Sequence, residues 1–362
     1  MDKVNLLDIC NPKQWKTLAT SELIADGKYD VYGANGIIGK YDDYNHEKST
    51  VLITCRGATC GNVHLSKPFS YINGNAMSLD NLDESRCLKE YLYYYLKGID
   101  LSNSISGSAQ PQITIQGLKK INVSLYDIKQ QRQIVNILSK IENLITYKKD
   151  EIEKANQLIK SQFVEMFEKY ENYNIMPLSK CTSFIDYRGH TPKVDEVGSI
   201  RMVNAKSVGK GYFKYINEFI TEDLYNVWMH RGFAHPGDIL FVTEGHTFGN
   251  SCLVPDDLIK FALGQRVITI QGNENIINNK YLSSYMQTKN FYNKINMYKT
   301  GGTAQGIRSK DLLKIEVPVP PIELQNKFAM IVEQIDKQKF EFEKSLKKLE
   351  ELQASLMQEY FG

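Results

Sequence analysis

The sequence predicts an α+β fold: two repeated mixed α/β domains joined by two long helices that form an antiparallel coiled coil with a pseudo-two-fold axis. Three observations predict it. The chain of 362 residues repeats itself at an offset of about 190. Two segments of about 40 residues, without internal proline or glycine, carry apolar stripes. Ahead of each, short β-like runs alternate with glycine-bearing turns. This length suits two domains of ~100–200 residues each, and 42% hydrophobic with 24% charged residues excludes wholesale disorder.

Taken in order, residues 1–123 read as the first globule. Thr50 to Thr54 and Ile113 to Ile115 are strand-like, the turns fall at Gly33-Ala-Asn-Gly36 and Gly57, and Leu88 to Leu96 suits a short helix. Residues 124–172 form the first helical segment. Ser124 with Asp127 fits a capping box, and Ile134, Leu138, Ile141, Ile145, Ile152, Ala155, Ile159 and Met166 follow a 4-3-4-3 spacing with Lys148 as its interruption. Residues 173–319 repeat the globule, with Asp238 to Thr243 and Ile268 to Ile270 as strands and Lys280 to Met286 as a helix. Residues 320–362 repeat the helical segment. Pro320-Pro321 sits at its start, where a missing N–H costs nothing. At an offset of 194 the stripe returns as Phe328, Val332, Ile335, Leu346, Leu349 and Tyr360, broken by Lys339 and Gln353 and with Phe342 in place of Lys148. A helix of this length spans roughly 60 Å and must bury its stripe, most simply against its own repeat.

Shorter echoes fix the register. Thr54 to Asn62 (TCRGATCGN) matches Val242 to Asn250 (VTEGHTFGN) at an offset of 188, and Gly107-Ser-Ala-Gln110 matches Gly302-Thr-Ala-Gln305 at 195. A chain written twice suggests two similar ends that read two sites.

Several classes are excluded or left open by composition. With 44 basic and 42 acidic residues the net charge is +2, which is no polycation binding nucleic acid indiscriminately and leaves sequence-selective binding open. The Met-Asp-Lys-Val-Asn start shows no signal peptide, and no apolar run approaches the ~18 residues of a membrane span. A soluble, cytoplasmic protein with no membrane partner is expected. Cys55, Cys60 and His64 could be drawn as a metal site, and His230 and His235 flank a turn. Without a second tight cysteine pair, reduced structural cysteines are the better reading and no metal is expected.

Some of these residues carry a family resemblance. They are Tyr32-Gly-Ala-Asn-Gly-Ile37 leading to Gly39, Val51 to Thr54 with Arg56-Gly57 and Gly61-Asn62, and Gly107 to Thr114 with its echo Gly302 to Ile307. The helix entries Gln130-Gln-Arg-Gln-Ile134 and Pro320-Pro-Ile-Glu-Leu-Gln325 complete the set. In order and twice over, the chain resembles the specificity (S) subunit of type I restriction–modification systems along essentially its whole length. The resemblance implies two target-recognition domains and two helical spacers. Each domain would read one half of a split, asymmetric sequence in double-stranded DNA. The helices would set the distance between halves and dock two methyltransferase (M) subunits, with an endonuclease/translocase (R) subunit joining for restriction.

The residues themselves speak against catalysis in this chain. There is no Asn-Pro-Pro or Asp-Pro-Pro loop of an amino-methyltransferase and no triphosphate-binding Gly-x-x-x-x-Gly-Lys-Ser/Thr. Asp238 and Glu244 lack the lysine a nuclease would place two residues on, where His246 stands. Catalytic residues and cofactors are therefore both read as none. A coiled-coil scaffold joining proteins is the competing reading, as is, more distantly, a methyltransferase in its own right. The scaffold leaves unexplained two globules whose loops present the amides, hydroxyls and guanidinium groups that base edges demand.

The candidate DNA-contacting residues follow from those loops. In the first domain they are Tyr32 and Asn35 at the first turn, Arg56, Thr59 and Asn62, then Ser108, Gln110 and Gln112. In the second they are Thr243, His246, Asn250, Thr303, Gln305 and Arg308, with Arg188 and Lys206 in addition. Gln110 and Gln305, read as equivalent in domains that should recognise different sequences, suit a structural or phosphate role. Arg56 has no arginine at its counterpart in the repeat, where Glu244 stands, and is the better candidate for discriminating guanine.

Overall fold

Both long helices run through two structural units, which divide the chain into residues 1–150 with 342–362, and 151–341. The structure, a computed structural model, describes residues 2–34, 36–107, 110–169, 173–187, 192–195, 197–301 and 305–362. Among them no helix is long and apolar enough to cross a membrane.

The first unit opens with β1 (Asp2–Asn5), β2 (Asn11–Gln14), β3 (Tyr29–Gly33), β4 (Gly36–Tyr41), β5 (Val51–Thr54), β6 (Val63–Leu65), β7 (Tyr71–Ile72) and β8 (Ala76–Asp80). It continues through α1 (Lys89–Gly98), β9 (Ile105–Ser106), β10 (Gln112–Ile113), α2 (Ile115–Leu118), β11 (Asn122–Leu125) and the start of α3 (Ile128–Phe163). A four-stranded sheet runs β2-β8-β5-β6, a three-stranded one β4-β3-β7, and β1 pairs with β11.

The second unit begins with β12 (Asn174–Pro177), α4 (Leu178–Cys181), β13 (Thr182–Asp186), β14 (Ile200–Val203), β15 (Phe219–Ile220), α5 (Glu222–Trp228), β16 (Ile239–Val242), β17 (Ser251–Leu253), β18 (Phe261–Leu263) and β19 (Val267–Gly272). Then come α6 (Asn279–Met286), α7 (Lys289–Met297), α8 (Ser309–Leu312), β20 (Glu316–Val319) and α9 (Ile322–Phe361). Three of the first unit's sheets recur in it, in the same order: β13-β19-β16-β17, β15-β14-β18, and β12 with β20, while the short β9–β10 pair belongs to the first unit.

The apolar strands explain this layering. Every residue of β5 is buried, because successive side chains point to opposite faces and both faces are covered. Val51 and Ile53 join the core that holds Met77, Leu79 and Tyr91, while Leu52 joins Tyr32, Ile72 and Ala76 on the other side. The repeat does the same: Ile239 and Phe241 enter one core, and Leu240 and Val242 enter another.

In each unit a tyrosine of the short helix is tied to the strand that leads into the long helix. Tyr91 of α1 donates to the carbonyl of Ser124 at 2.6 Å, and Tyr281 of α6 to that of Pro318 at 3.0 Å. In the first unit the helices pair antiparallel. Ile134 and Leu138 share a core with Leu356 and Phe361, and farther along α3 the Lys148 ammonium lies 4.9 Å from the Phe342 ring centre. Lys149 pairs with Glu350 at 3.0 Å. In the second unit Phe163 packs against Phe328 and Tyr281, with ring centres 5.6 and 5.7 Å apart. No position of the two stripes read from the sequence is exposed.

Three local expectations are corrected. Ser124 does not cap α3. It lies buried in β11, and Asp127 accepts from the N–H of Gln130 at 2.8 Å, the reach of an N-cap carboxylate. Ile113 to Ile115 is not a continuous strand, because Thr114 ends β10 and caps α2 by accepting from Gly117 N–H. Past Phe163 the first helix widens into a π-helical turn over Val164–Glu168. That turn brings Phe167 into the core where the stripe placed Met166.

Candidate nucleic-acid interface

In the first unit three loops converge at the ends of β3, β5 and β10. The loop after β5 folds on itself: Gly61 N–H donates to Thr54 at 2.9 Å, Cys60 to Gly57 at 3.0 Å and Asn62 to Thr59 at 3.0 Å. Gly57 adopts φ +89 and Gly61 φ +97, a left-handed backbone that side-chain-bearing residues rarely take. The loop before β10 docks on it. Gly57 N–H donates to Pro111 O at 3.2 Å, Ile113 N–H to Cys55 O at 3.0 Å, and Arg56 bridges to Gln112. The turn after β3 joins through Ala34, whose carbonyl accepts from the hydroxyls of Thr54 and Thr59 at 2.7 and 2.8 Å. His64 stands beside that turn, and burial with the Lys97 charge pushes its imidazole below the ordinary range, toward the neutral form.

The second unit builds the same loop with different side chains. Gly249 donates to Val242 at 3.0 Å, Phe248 to Gly245 at 3.1 Å, Asn250 to Thr247 at 3.0 Å, Gly245 to Gln305 at 3.0 Å and Ile307 to Thr243 at 2.9 Å. By these bonds Glu244 holds the position in its loop that Arg56 holds in the first, as the sequence indicated. They also correct one equivalence: the carbonyl that meets Gly57 belongs to Pro111, so Gln305 corresponds to Pro111 rather than to Gln110. One extra residue follows Gln110 before the chain rejoins the ladder.

Of the candidate residues, Arg56, Asn62, Gln110 and Gln112 in the first unit and His246, Gln305 and Arg308 in the second are exposed. Arg56 has no ion pair among the described residues, so its five donors remain available. Others hold the loops together. Tyr32 is buried and its hydroxyl accepts from Lys67 N–H, Thr59 is committed to Ala34, and the Asn250 amide donates to Val208 O at 3.3 Å. Thr243 is corrected as a contact residue: it is fully buried, with its hydroxyl donating to Arg266 O. Lys206 is exposed but paired with Glu218 at 2.6 Å. Asn35, Ser108, Arg188 and Thr303 lie outside the described residues.

Arg266 escaped the sequence reading. It precedes β19, adopts φ +69, and its guanidinium meets the Glu244 carboxylate at 3.1 Å. Its counterpart by hydrogen bonding is Asn75: Cys55 N–H donates to Asn75 O, and Thr243 N–H to Arg266 O. The sequence carries only a faint sign of this equivalence, a glycine just ahead of each: Gly264 stands two residues before Arg266, and Gly74 one residue before Asn75. The first unit thus presents a lone cation on this frame, and the second a neutralised pair. Among the described residues no three His, Cys, Asp or Glu side chains are placed to hold a metal. Burial instead raises the Cys55 thiol above its ordinary value.

Comparison with known proteins agrees with this duplicated frame. The family model described as the type I restriction modification DNA specificity domain matches residues 1–157 and again 188–354. A putative type I restriction enzyme specificity subunit of Haemophilus influenzae is 23% identical over 341 residues, covering 87% of this chain and 82% of that protein. The MjaVIII specificity subunit of Methanocaldococcus jannaschii is 22% identical over 363 residues, covering 88% and 82%. The fold is that of the crystal structure of a type I restriction–modification S subunit from M. genitalium, with TM-score 0.66, 19% identity and coverage of 98% and 94%. A chain from a structure addressing assembly and conformational transition of the type I system matches at TM-score 0.52 and 13% identity, covering 99% and 97%. With the family's domain matched twice along its length, this chain belongs to the type I restriction–modification DNA specificity family.

Proposed function

We propose that this chain reads a split, asymmetric target in double-stranded DNA, one half-site per loop cluster, and has no catalytic activity of its own. The carrying observation is the duplicated frame of loop hydrogen bonds that presents Arg56 in one unit and a Glu244–Arg266 pair in the other. An unchanged backbone with exchanged side chains suits two readers of different sequences. On this reading residues 1–123 and 173–319 are the recognition domains. Segments 124–172 and 320–362 are the spacers, on which two methyltransferase subunits dock and to whose complex an endonuclease/translocase subunit adds.

The test has two arms. Purified chain mixed with DNA and labelled S-adenosylmethionine should transfer no label. A host carrying the chain with its methyltransferase should methylate a bipartite motif. Label transfer that follows this chain through purification, or a contiguous motif, would overturn the reading.

A further inference from the structure

The two units differ where β14 leaves for β15. In the first unit β3 runs parallel to β7 and antiparallel to β4, and only residues 34–35 join β3 to β4. In the second, β14 runs parallel to β18 and antiparallel to β15, so the topology is equivalent. The connection there is residues 204–218, fifteen long. Asn204 caps a short turn over Ala205–Ser207, and the chain then forms a hairpin in which Val208 bridges to Phe213 and Gly209 N–H donates to Tyr212 O at 2.8 Å. Lys210 and Gly211 form its tip, and Gly211 takes φ +83, as the third position of a type II turn requires.

This hairpin is held against the candidate loop. Gly211 N–H donates to Ser251 O at 2.9 Å, and the Asn250 amide to Val208 O at 3.3 Å. The segment carries Lys206, Lys210 and Lys214 against one carboxylate, Glu218, which Lys206 occupies. Lys210 and Lys214 are exposed and have no ion pair among the described residues. Tyr212, half exposed, lies against Gly209 and holds the Lys214 ammonium 5.5 Å from its ring centre. The segment's charge of +2 equals the net charge of the whole chain, so local rather than overall charge acts here.

We propose that the Val208–Phe213 hairpin is a backbone clamp of the second recognition domain: Lys210 and Lys214 each neutralise one DNA phosphate beside the half-site, and Tyr212 positions Lys214. In the first domain the corresponding connection from β3 to β4 is two residues long, against fifteen here. The inference rests on the DNA-binding reading above. Lysine at such a site acts as a point charge on phosphate, which carries no sequence information.

The test uses the full chain and a mixed-sequence DNA duplex, with affinity measured by fluorescence anisotropy across a salt series. Each phosphate contact contributes about 0.9 to the slope of log affinity against log salt. Lys210→Gln with Lys214→Gln should therefore flatten the slope by about 1.8, and Tyr212→Leu should weaken binding less. A control, Lys180→Gln with Lys289→Gln, removes the same charge elsewhere in the unit and should leave the slope in place. An unchanged slope in the hairpin variant, or an equal fall in the control, overturns the clamp while the DNA reading stands. A wild-type chain that binds no DNA overturns the DNA reading itself.

Discussion

Gln131 and Gln325, at an offset of 194, make the same three hydrogen bonds in their respective units. Gln131 accepts from Leu88 N–H at 2.8 Å and donates to Arg86 O and Tyr126 O, both at 2.8 Å. Gln325 accepts from Asn278 N–H at 2.9 Å and donates to Ile276 O at 3.1 Å and Pro320 O at 2.7 Å. Both are fully buried. Leu88 and Asn278 are the N-cap residues of α1 and α6, whose first N–H groups have no partner within the helix. Each glutamine therefore ties the entry of a long helix to the start of its unit's short helix.

Removing that tie leaves buried backbone groups unpaired at about 1–3 kcal/mol each. Gln131→Leu is expected to destabilise the first unit by about 2–4 kcal/mol after its own gain in apolar burial, and Gln325→Leu the second by a similar amount. Hydrogen exchange resolves the units. Each substitution should raise exchange in its own unit's short helix, and equal protection in variant and wild type would refute the role.

A second lock is not duplicated. Glu142 accepts from Tyr93 at 3.1 Å, Tyr94 at 2.8 Å and Lys97 at 2.8 Å. Burial pushes its carboxyl up, but the bonds from Lys97, Tyr94 and Tyr93 outweigh this and hold it below the usual range. A depressed carboxylate contributes stability that is present above its unfolded value, ~4.3, and lost as pH falls through the folded one. Glu142→Gln should thus lower the melting temperature at neutral pH, and the gap to wild type should narrow below about pH 4. At the repeat position Asp336→Asn should show no such pattern, since no tyrosine pair faces it: Ser283 and Ser284 stand where Tyr93 and Tyr94 do.

Much of the architecture was legible because periodicity records burial. The stripes of α3 and α9 and the runs Val51–Thr54 and Ile239–Val242 are apolar because both their faces, or one continuous face, are covered. The glycine echo was legible because Gly57 and Gly245 must each adopt a left-handed backbone. Contacts across the fold were not. Arg266 matters through Glu244, 22 residues away, and Thr243 looks like a loop donor until the strands close over it. The Phe167 position was hidden because a π-helical turn breaks the 3.6-residue period that the stripe assumes. The hairpin at 208–213 was hidden because an insertion present in one copy leaves no echo.

Arg56 offers a test of readout. An arginine presented to guanine contributes about 1–3 kcal/mol of discrimination. Arg56→Ala should relax one base position in one half of the methylated motif and leave the other half intact. Glu244→Gln should act on the opposite half, by releasing Arg266 from its 3.1 Å pair. The pair is about half exposed and contributes little to stability, so folding should be retained in both variants. Methylated-motif mapping checks both, and an Arg56→Ala motif identical to wild type would remove Arg56 from the set of base-reading residues.

Exchange of a whole domain tests the division of labour. Residues 173–319 are closed by the antiparallel ladder in which Asn174 faces Val319 and Pro177 faces Glu316, so a cut on either side of it leaves no sheet open. The core nevertheless reaches outside these limits, since Phe163, Phe167 and Phe328 pack on Tyr281 or on one another. An imported domain must therefore supply an aromatic residue at the Tyr281 position, or it leaves a cavity costing about 3–5 kcal/mol, as for other buried aromatic truncations. With that residue retained, the exchange should change one half of the methylated motif and preserve the other. A change in both halves, in a chimera whose melting temperature matches the parent, would show that recognition is not partitioned between the two units.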